Sequence, residues 1–284
     1  METPNRPTRS TYIEANGVST YVERRGRGWP VVLVHALGMS LRSWDPVAEF
    51  LAQEFEVIAY DYRGHGRTEK VGGVCTIPVL ADDLRELLAR LALGPVHLVG
   101  LAVGSMIAQQ LVLADPSLVS ALVLASPRSE LDPHGAAYNE QRAKLVETAG
   151  MREALEVTIA RTFSEDYPRA HVEIMRRFRG EFLANDPHGY AAICRGLSSF
   201  GVTERLREIV CPTLLLPGEL DQLCPAREAI AMQARIRGSR CETLPGVAHF
   251  SAIEAPVQVG ERVLAFLRSL PHGPQRFDCD ALPS

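Results

Sequence analysis

HLVGLAVGSMIAQQ, residues 97–110, is the stretch whose reading decides the fold. A short apolar run enters a glycine-bounded turn and leaves with helical spacing. Gly100 and Gly104 stand two residues to either side of Ala102, the spacing of a G-x-S-x-G elbow with alanine where the serine would be. Such a turn holds its central residue at strained backbone angles and lifts the side chain above the end of a sheet, so its flanks must be small. G-x-x-x-G alone also serves ordinary helix packing; the VHLV run before it and the helix after it make it an elbow. A methyl group attacks nothing.

Working outward, residues 11–25 alternate around Asn16-Gly17, the dipeptide of a tight hairpin. VVLVH (31–35) and EVIAYD (56–61) are continuous apolar runs, as in strands covered on both faces, with SWDPVAEFLAQ at helical spacing between them. An amphipathic helix over 82–93 stops at Gly94-Pro95. ALVLAS (121–126), TLLLPG (213–218) and CETLPG (241–246) read as further strands, and a helix over 256–270 follows. This alternation predicts an α/β fold with a mostly parallel eight-stranded sheet and helices on both faces.

The rhythm lapses after the sixth strand. Residues 126–208 read as successive helices, 135–149, 151–163, 168–184 and 187–199, broken at Gly150, Pro168 and Pro187. Residues 1–125 and 209–284 are read as the core and 126–208 as a helical lid over the carboxyl ends of the strands, where open α/β sheets bind ligands. The cavity beneath is expected to have apolar walls and few polar anchors. The tail, PHGPQRFDCDALPS, reads as loosely ordered.

Composition excludes several classes. At 46% hydrophobic and 23% charged residues the chain can bury a substantial core, and a net charge of −4 offers no basic field for nucleic acid. No apolar run approaches the roughly 18 residues of a membrane span, and the N-terminus lacks the apolar stretch of a signal peptide. Cys75, Cys194, Cys211, Cys224, Cys241 and Cys279 show no C-x-x-C spacing, which favours free thiols in a reducing cytoplasm over a disulfide or zinc role. The expected partner is a small-molecule substrate, with no cofactor, metal, nucleic acid or membrane; a homo-oligomer is compatible with the sequence.

Three more segments leave the carboxyl ends of expected strands and can converge on residue 102. His35-Ala36-Leu37-Gly38 follows the first buried parallel strand; the backbone N–H of Leu37, with that of Val103, would form an oxyanion hole, while His35 reads as structural. Gly218-Glu219-Leu220-Asp221 supplies an acid and Gly246-Val247-Ala248-His249 a base. Asp221 would accept the Nδ1 hydrogen of His249, fixing its tautomer and stabilising the imidazolium; Glu219 is the alternative acid. As substitute nucleophiles Ser105 and Cys224 are set aside: the Ser105 hydroxyl should point to the preceding turn or a neighbouring helix, and nothing activates the thiol. His65, His97, His134, His171, His188 and His272 read as structural or solvated. The lid's Arg128, Arg161, Arg176, Arg177, Arg179 and Arg195 are candidates to meet a carboxylate, most of them solvated.

HALG, DYRGHGRT (61–68), GLAVG, GELDQ and GVAHF, in this order and spacing, resemble the α/β-hydrolase superfamily across nearly the whole chain. WDPVAEFLAQEFEVIAYDYRGHG, AGMREALEVTIARTF and NDPHGYAAICRGL look most like its 3-oxoadipate enol-lactonase group. The resemblance implies cofactor-free cleavage of an ester or lactone, with a carboxylate-bearing cyclic substrate as the default. It carries the nucleophile onto position 102, where this chain departs from it. Three readings follow: a Ser-His-Asp ester or lactone hydrolase whose serine has been replaced by an inactivating alanine; a native serine-less member using His249–Asp221 as general acid and base for lactone isomerisation, elimination, decarboxylation or cyclisation; and a non-catalytic ligand-binding member.

Overall fold

Asn16 and Gly17, both at positive φ (50° and 72°), turn β1 (Arg9–Ala15) back onto β2 (Val18–Gly26) as the antiparallel edge of the sheet. The structure is a computed structural model that describes residues 8–70, 72, 73 and 75–270. The C-terminal tail, with His272 and Cys279, lies outside the described residues.

Chain order continues with β3 (Pro30–Val34), α1 (Asp45–Leu51), β4 (Glu56–Tyr60), α2 (Ile77–Arg90), β5 (Val96–Leu101), α3 (Val103–Ala114) and β6 (Val119–Ala125). Five helices follow before the sheet resumes: α4 (Pro133–Ala149), α5 (Met151–Thr162), α6 (Tyr167–Ala170), α7 (Val172–Ala184) and α8 (Pro187–Leu197). The remainder is β7 (Thr213–Leu216), α9 (Ala226–Gln233), β8 (Arg240–Cys241), α10 (Ser251–Glu254) and α11 (Pro256–Arg268). The eight strands lie in the order β1-β2-β4-β3-β5-β6-β7-β8, and from β4 onward every pairing is parallel. This is the mostly parallel eight-stranded α/β sheet expected from the alternation of strands and helices.

That order positions the site. After β3 the chain moves to β4 on one side, whereas after β5 it moves to β6 on the other, so the loops leaving β3 and β5 diverge and open a crevice between them. Both strands are buried along almost their whole length, which is why they read as unbroken apolar runs. Among the described residues no helix is long and apolar enough to cross a membrane.

Three elements depart from expectation. The last strand is two residues long rather than six: only Arg240 and Cys241 pair in register with β7, while Glu242 and Leu244 keep contact through N–H bonds to the Leu215 (2.9 Å) and Pro217 (2.8 Å) carbonyls. The helix expected over 168–184 divides at His171 (φ −124°, ψ 54°), while Pro168 sits in the first turn of α6, where no N–H is required. The helix expected from residue 82 starts earlier, at Ile77.

Candidate active site

Ala102 bridges β5 and α3 at φ 52° and ψ −110°, a conformation that costs a non-glycine residue about 1–3 kcal/mol. The flanking glycines make it possible. A Cβ on Gly100 would lie 2.3 Å from the Gly104 carbonyl oxygen, and one on Gly104 would lie 2.1 Å from the Val34 oxygen and 2.8 Å from that of His35. The Ala102 N–H is tied to the Ala125 carbonyl of the neighbouring strand (3.0 Å). Ser105 points away from the crevice, its buried hydroxyl donating to the Ala102 carbonyl (2.7 Å).

The loop after β3 is held by DYRGHG. His35 donates from Nδ1 to the Ala36 carbonyl (2.9 Å) and accepts at Nε2 from the Tyr62 N–H (3.3 Å). The His65 Nε2 accepts from the Gly38 N–H (3.0 Å), and burial pushes its pKa down to about 3, so the ring is a neutral acceptor. Asp61 spans both loops, taking the Leu41 N–H (2.6 Å) and the Arg67 N–H (2.8 Å). The sequence reads His65 only as structural or solvated; its separation of 27 residues from Gly38 carries no sign of this bond. Among the described residues the Leu37 N–H makes no backbone hydrogen bond, and Val103, first residue of α3, has no helical acceptor for its own.

His249 and Asp221 are brought together. The His249 Nδ1 lies 2.8 Å from Asp221 Oδ2, while Asp221 Oδ1 accepts the N–H groups of Leu223 (2.9 Å) and Cys224 (2.8 Å). Burial by itself would raise the Asp221 pKa, but the His249 charge and these three bonds outweigh it and hold it below the usual carboxylate value. Glu219, the alternative acid, instead accepts the Gly246 N–H (2.7 Å). The His249 loop is clamped from both sides: the His249 and Phe250 N–H groups share the Thr162 carbonyl at the end of α5, and the His249 carbonyl accepts from Ser126 Oγ (2.7 Å). Cys224 adjoins the pair, and burial holds its thiol protonated, well above its ordinary range.

Leu37, Ala102, Val103, Cys224 and His249 all line one cavity of about 370 Å³, whose far walls come from α4, α5 and α8. Met106, Leu131 and Leu197 supply apolar surface. The expectation of few polar anchors fails: Arg128, Asp132, His134, Arg142, Arg161, Arg227 and Glu228 also face the cavity. Arg128 is neutralised by Glu228 (3.1 and 2.9 Å). Arg176 and Arg177 lie by Glu173, Arg179 by Glu156, and Arg195 by Glu140 and Glu147, all on exposed surface. Of the arginines singled out from sequence, Arg161 faces the cavity without an ion pair among the described residues; Arg142 and the exposed Arg227, which share this property, were missed.

One half-buried acid sits behind the HALG loop. Glu181 of α7 accepts from Ser40 Oγ (2.9 Å), and burial, with Asp45 and Asp61 nearby, raises its pKa to about 7 despite Ser40 and Arg42. Because the folded value exceeds the unfolded one, this carboxyl's stabilising contribution is complete below the ordinary glutamate range and is lost as pH rises through about 7. Melting temperatures from pH 5 to 8 should therefore fall further for the unmodified protein than for Glu181→Gln, by roughly 2–4 °C per kcal/mol of linkage. Parallel curves would remove this assignment.

A sharp strand-to-helix elbow at the centre of a mostly parallel sheet, with later strands delivering an acid and then a histidine to it, defines the α/β-hydrolase class of proteins. The chain belongs to the alpha/beta hydrolase family, whose profile matches residues 31–262. It is 28% identical over 252 residues to the putative carbamate hydrolase RutD of Rhizobium rhizogenes, covering 84% of this chain and 92% of that one. It is 25% identical over 240 residues to 3-oxoadipate enol-lactonase 1 of Acinetobacter baylyi, covering 84% and 89%. Among solved structures, a malate-bound thermophilic esterase from Thermogutta terrifontis superposes with a TM-score of 0.86 at 29% identity, covering 92% of this chain and 98% of that one.

Proposed function

We propose that this chain cleaves an ester or lactone bearing a carboxylate, with His249 as general base, Asp221 as its orienting partner, the Leu37 and Val103 N–H groups as oxyanion donors, and no acyl-enzyme. The carrying observation is a His249–Asp221 pair whose histidine lines the same cavity as the Ala102 methyl, Leu37 and Val103, the last two with N–H groups that have no partner among the described residues. Exchanging a hydroxyl for hydrogen at that point leaves space for a water oxygen beside the base. His249 Nε2 takes a proton as the water oxygen attacks the carbonyl carbon, and the charge that moves to the carbonyl oxygen is met by the two N–H groups. Collapse breaks the bond to the leaving oxygen, which recovers the proton from the imidazolium; one water is consumed. The strain at Ala102 retains a purpose here, because the same turn aims the Val103 N–H. The malate of the Thermogutta structure and the 3-oxoadipate in the lactonase's name support an anionic substrate. In this reading α4–α8 act as a lid, and five free cysteines among the described residues fit a reducing cytoplasm.

A second reading, favoured by the positive φ at Ala102, starts from a serine whose loss disabled the enzyme. The first is tested by incubating the unmodified protein and His249→Gln with a panel of esters and lactones and following products by NMR. Turnover should be measurable and should fall on the order of 10²-fold or more in His249→Gln. Water-derived oxygen in the product marks hydrolysis; a rearranged product marks the general acid–base alternative, in which the base takes a carbon-bound proton. Turnover indifferent to His249, or none at all, overturns the proposal.

A further inference from the structure

Resting on the reading of this site as one that acts on esters or lactones, we propose that Arg142 and Arg161, both set over the Tyr138 ring, form the subsite that receives the substrate's carboxylate. The guanidinium carbons of Arg142 and Arg161 lie 5.3 and 4.1 Å from the Tyr138 ring centre, and all three residues line the cavity that contains Ala102 and His249.

The charges around the cavity show why. Arg128 and Glu228 cancel, Asp221 is matched by His249, Asp132 is turned to the Gly135 N–H at the start of α4 (2.7 Å), and Arg227 is exposed to solvent at the cavity's rim. Arg142 and Arg161 have no carboxylate within ion-pair distance among the described residues. Arg142 is the more demanding of the two. Its neighbours are aromatic: the Tyr138 face, the Tyr190 face at 5.2 Å, and the neutral Tyr190 hydroxyl, to which it donates. Its Nε is buried without a hydrogen-bond acceptor among the described residues. An enclosed cation with an unused donor is costly, and a planar two-oxygen anion meets its fork as no water does.

Placement ties this subsite to the chemistry. Arg161 immediately precedes Thr162, whose carbonyl holds the His249 and Phe250 N–H groups. A carboxylate clamped by Arg161 is thus held by the same turn that sets the base, and Arg142, one helical turn beyond Tyr138 on α4, closes the other side. The substrate class that fits is an ester or lactone with a free carboxylate on the part that reaches into the lid.

The test compares mono-p-nitrophenyl glutarate with its methyl ester, which differ in one charge. The unmodified protein should prefer the carboxylate form on the order of 10²-fold in kcat/KM, chiefly through KM. Arg142→Gln and Arg161→Gln should each lower that ratio, and Arg142→Lys, which keeps charge but loses the fork, should restore part of it. Calorimetry with glutarate, which does not react, should show binding that both glutamine variants weaken. If His249-dependent turnover is present but the ratio is near one, or the variants leave it intact, the subsite falls and the reading of the site stands. Without His249-dependent turnover of either ester the reading of the site falls, and glutarate binding then decides the subsite: absence, or indifference to both variants, rejects it.

Discussion

Ala102→Ser is expected to raise hydrolysis of an activated ester on the order of 10³-fold or more. In the proposed reading the rest of a nucleophilic site surrounds position 102: the turn at φ 52°, the pair His249–Asp221 at 2.8 Å, and N–H groups at Leu37 and Val103 without backbone partners among the described residues. A hydroxyl placed there enters a cavity that His249 also lines, so the base can take its proton as it attacks. The gain should disappear in Ala102→Ser/His249→Ala. Steady-state rates on one p-nitrophenyl ester check this; an Ala102→Ser protein that folds and shows no gain would mean that the elbow and the base do not share a reacting carbon.

Gly104→Ala should have the largest effect on stability. The added methyl meets backbone rather than flexible side chain, at 2.1 Å from the Val34 oxygen and 2.8 Å from the His35 oxygen, so α3 must move away from the end of β3. Overpacking of this kind costs about 3 kcal/mol, a fall of roughly 6–12 °C in melting temperature for a chain of this size. It also displaces Val103 from the HALG loop, so residual activity should fall more than folding does. Gly180→Ala on the exposed face of α7, where nothing lies within 4 Å, is the control and should be neutral or slightly stabilising. Equal melting temperatures for the two variants would remove the steric account of the elbow.

The elbow was legible because its demands are steric and local: two glycines at fixed spacing, a strand before, a helix after. The parallel strands were legible because burial on both faces leaves them apolar throughout, as in β3 and β5. Asp221 over Glu219 was preferred from sequence, and the two side chains do diverge, Asp221 to His249 and Glu219 to the Gly246 N–H. The charged cavity wall was not legible. In α4 the polar and apolar residues form no clean stripe, so nothing local told Arg142, which turns inward, from Lys144, which lies outside by Glu140. That difference is decided by which helices pack together, α4 against α8 and α5, and it arises from contacts far apart in the chain. His65 was passed over for the same reason: its partner, the Gly38 N–H, is 27 residues away.

Rapid-quench mass spectrometry of the unmodified protein and of Ala102→Ser, mixed with the same activated ester, tests the central claim most directly. The unmodified chain should release product through His249 and carry no added mass at any time, because water rather than the protein attacks the carbonyl. Ala102→Ser should accumulate one acyl group on the peptide that contains residue 102, and lose it when His249 is also replaced. An acyl group on the unmodified chain, or a folded Ala102→Ser protein that never acquires one, would contradict the account.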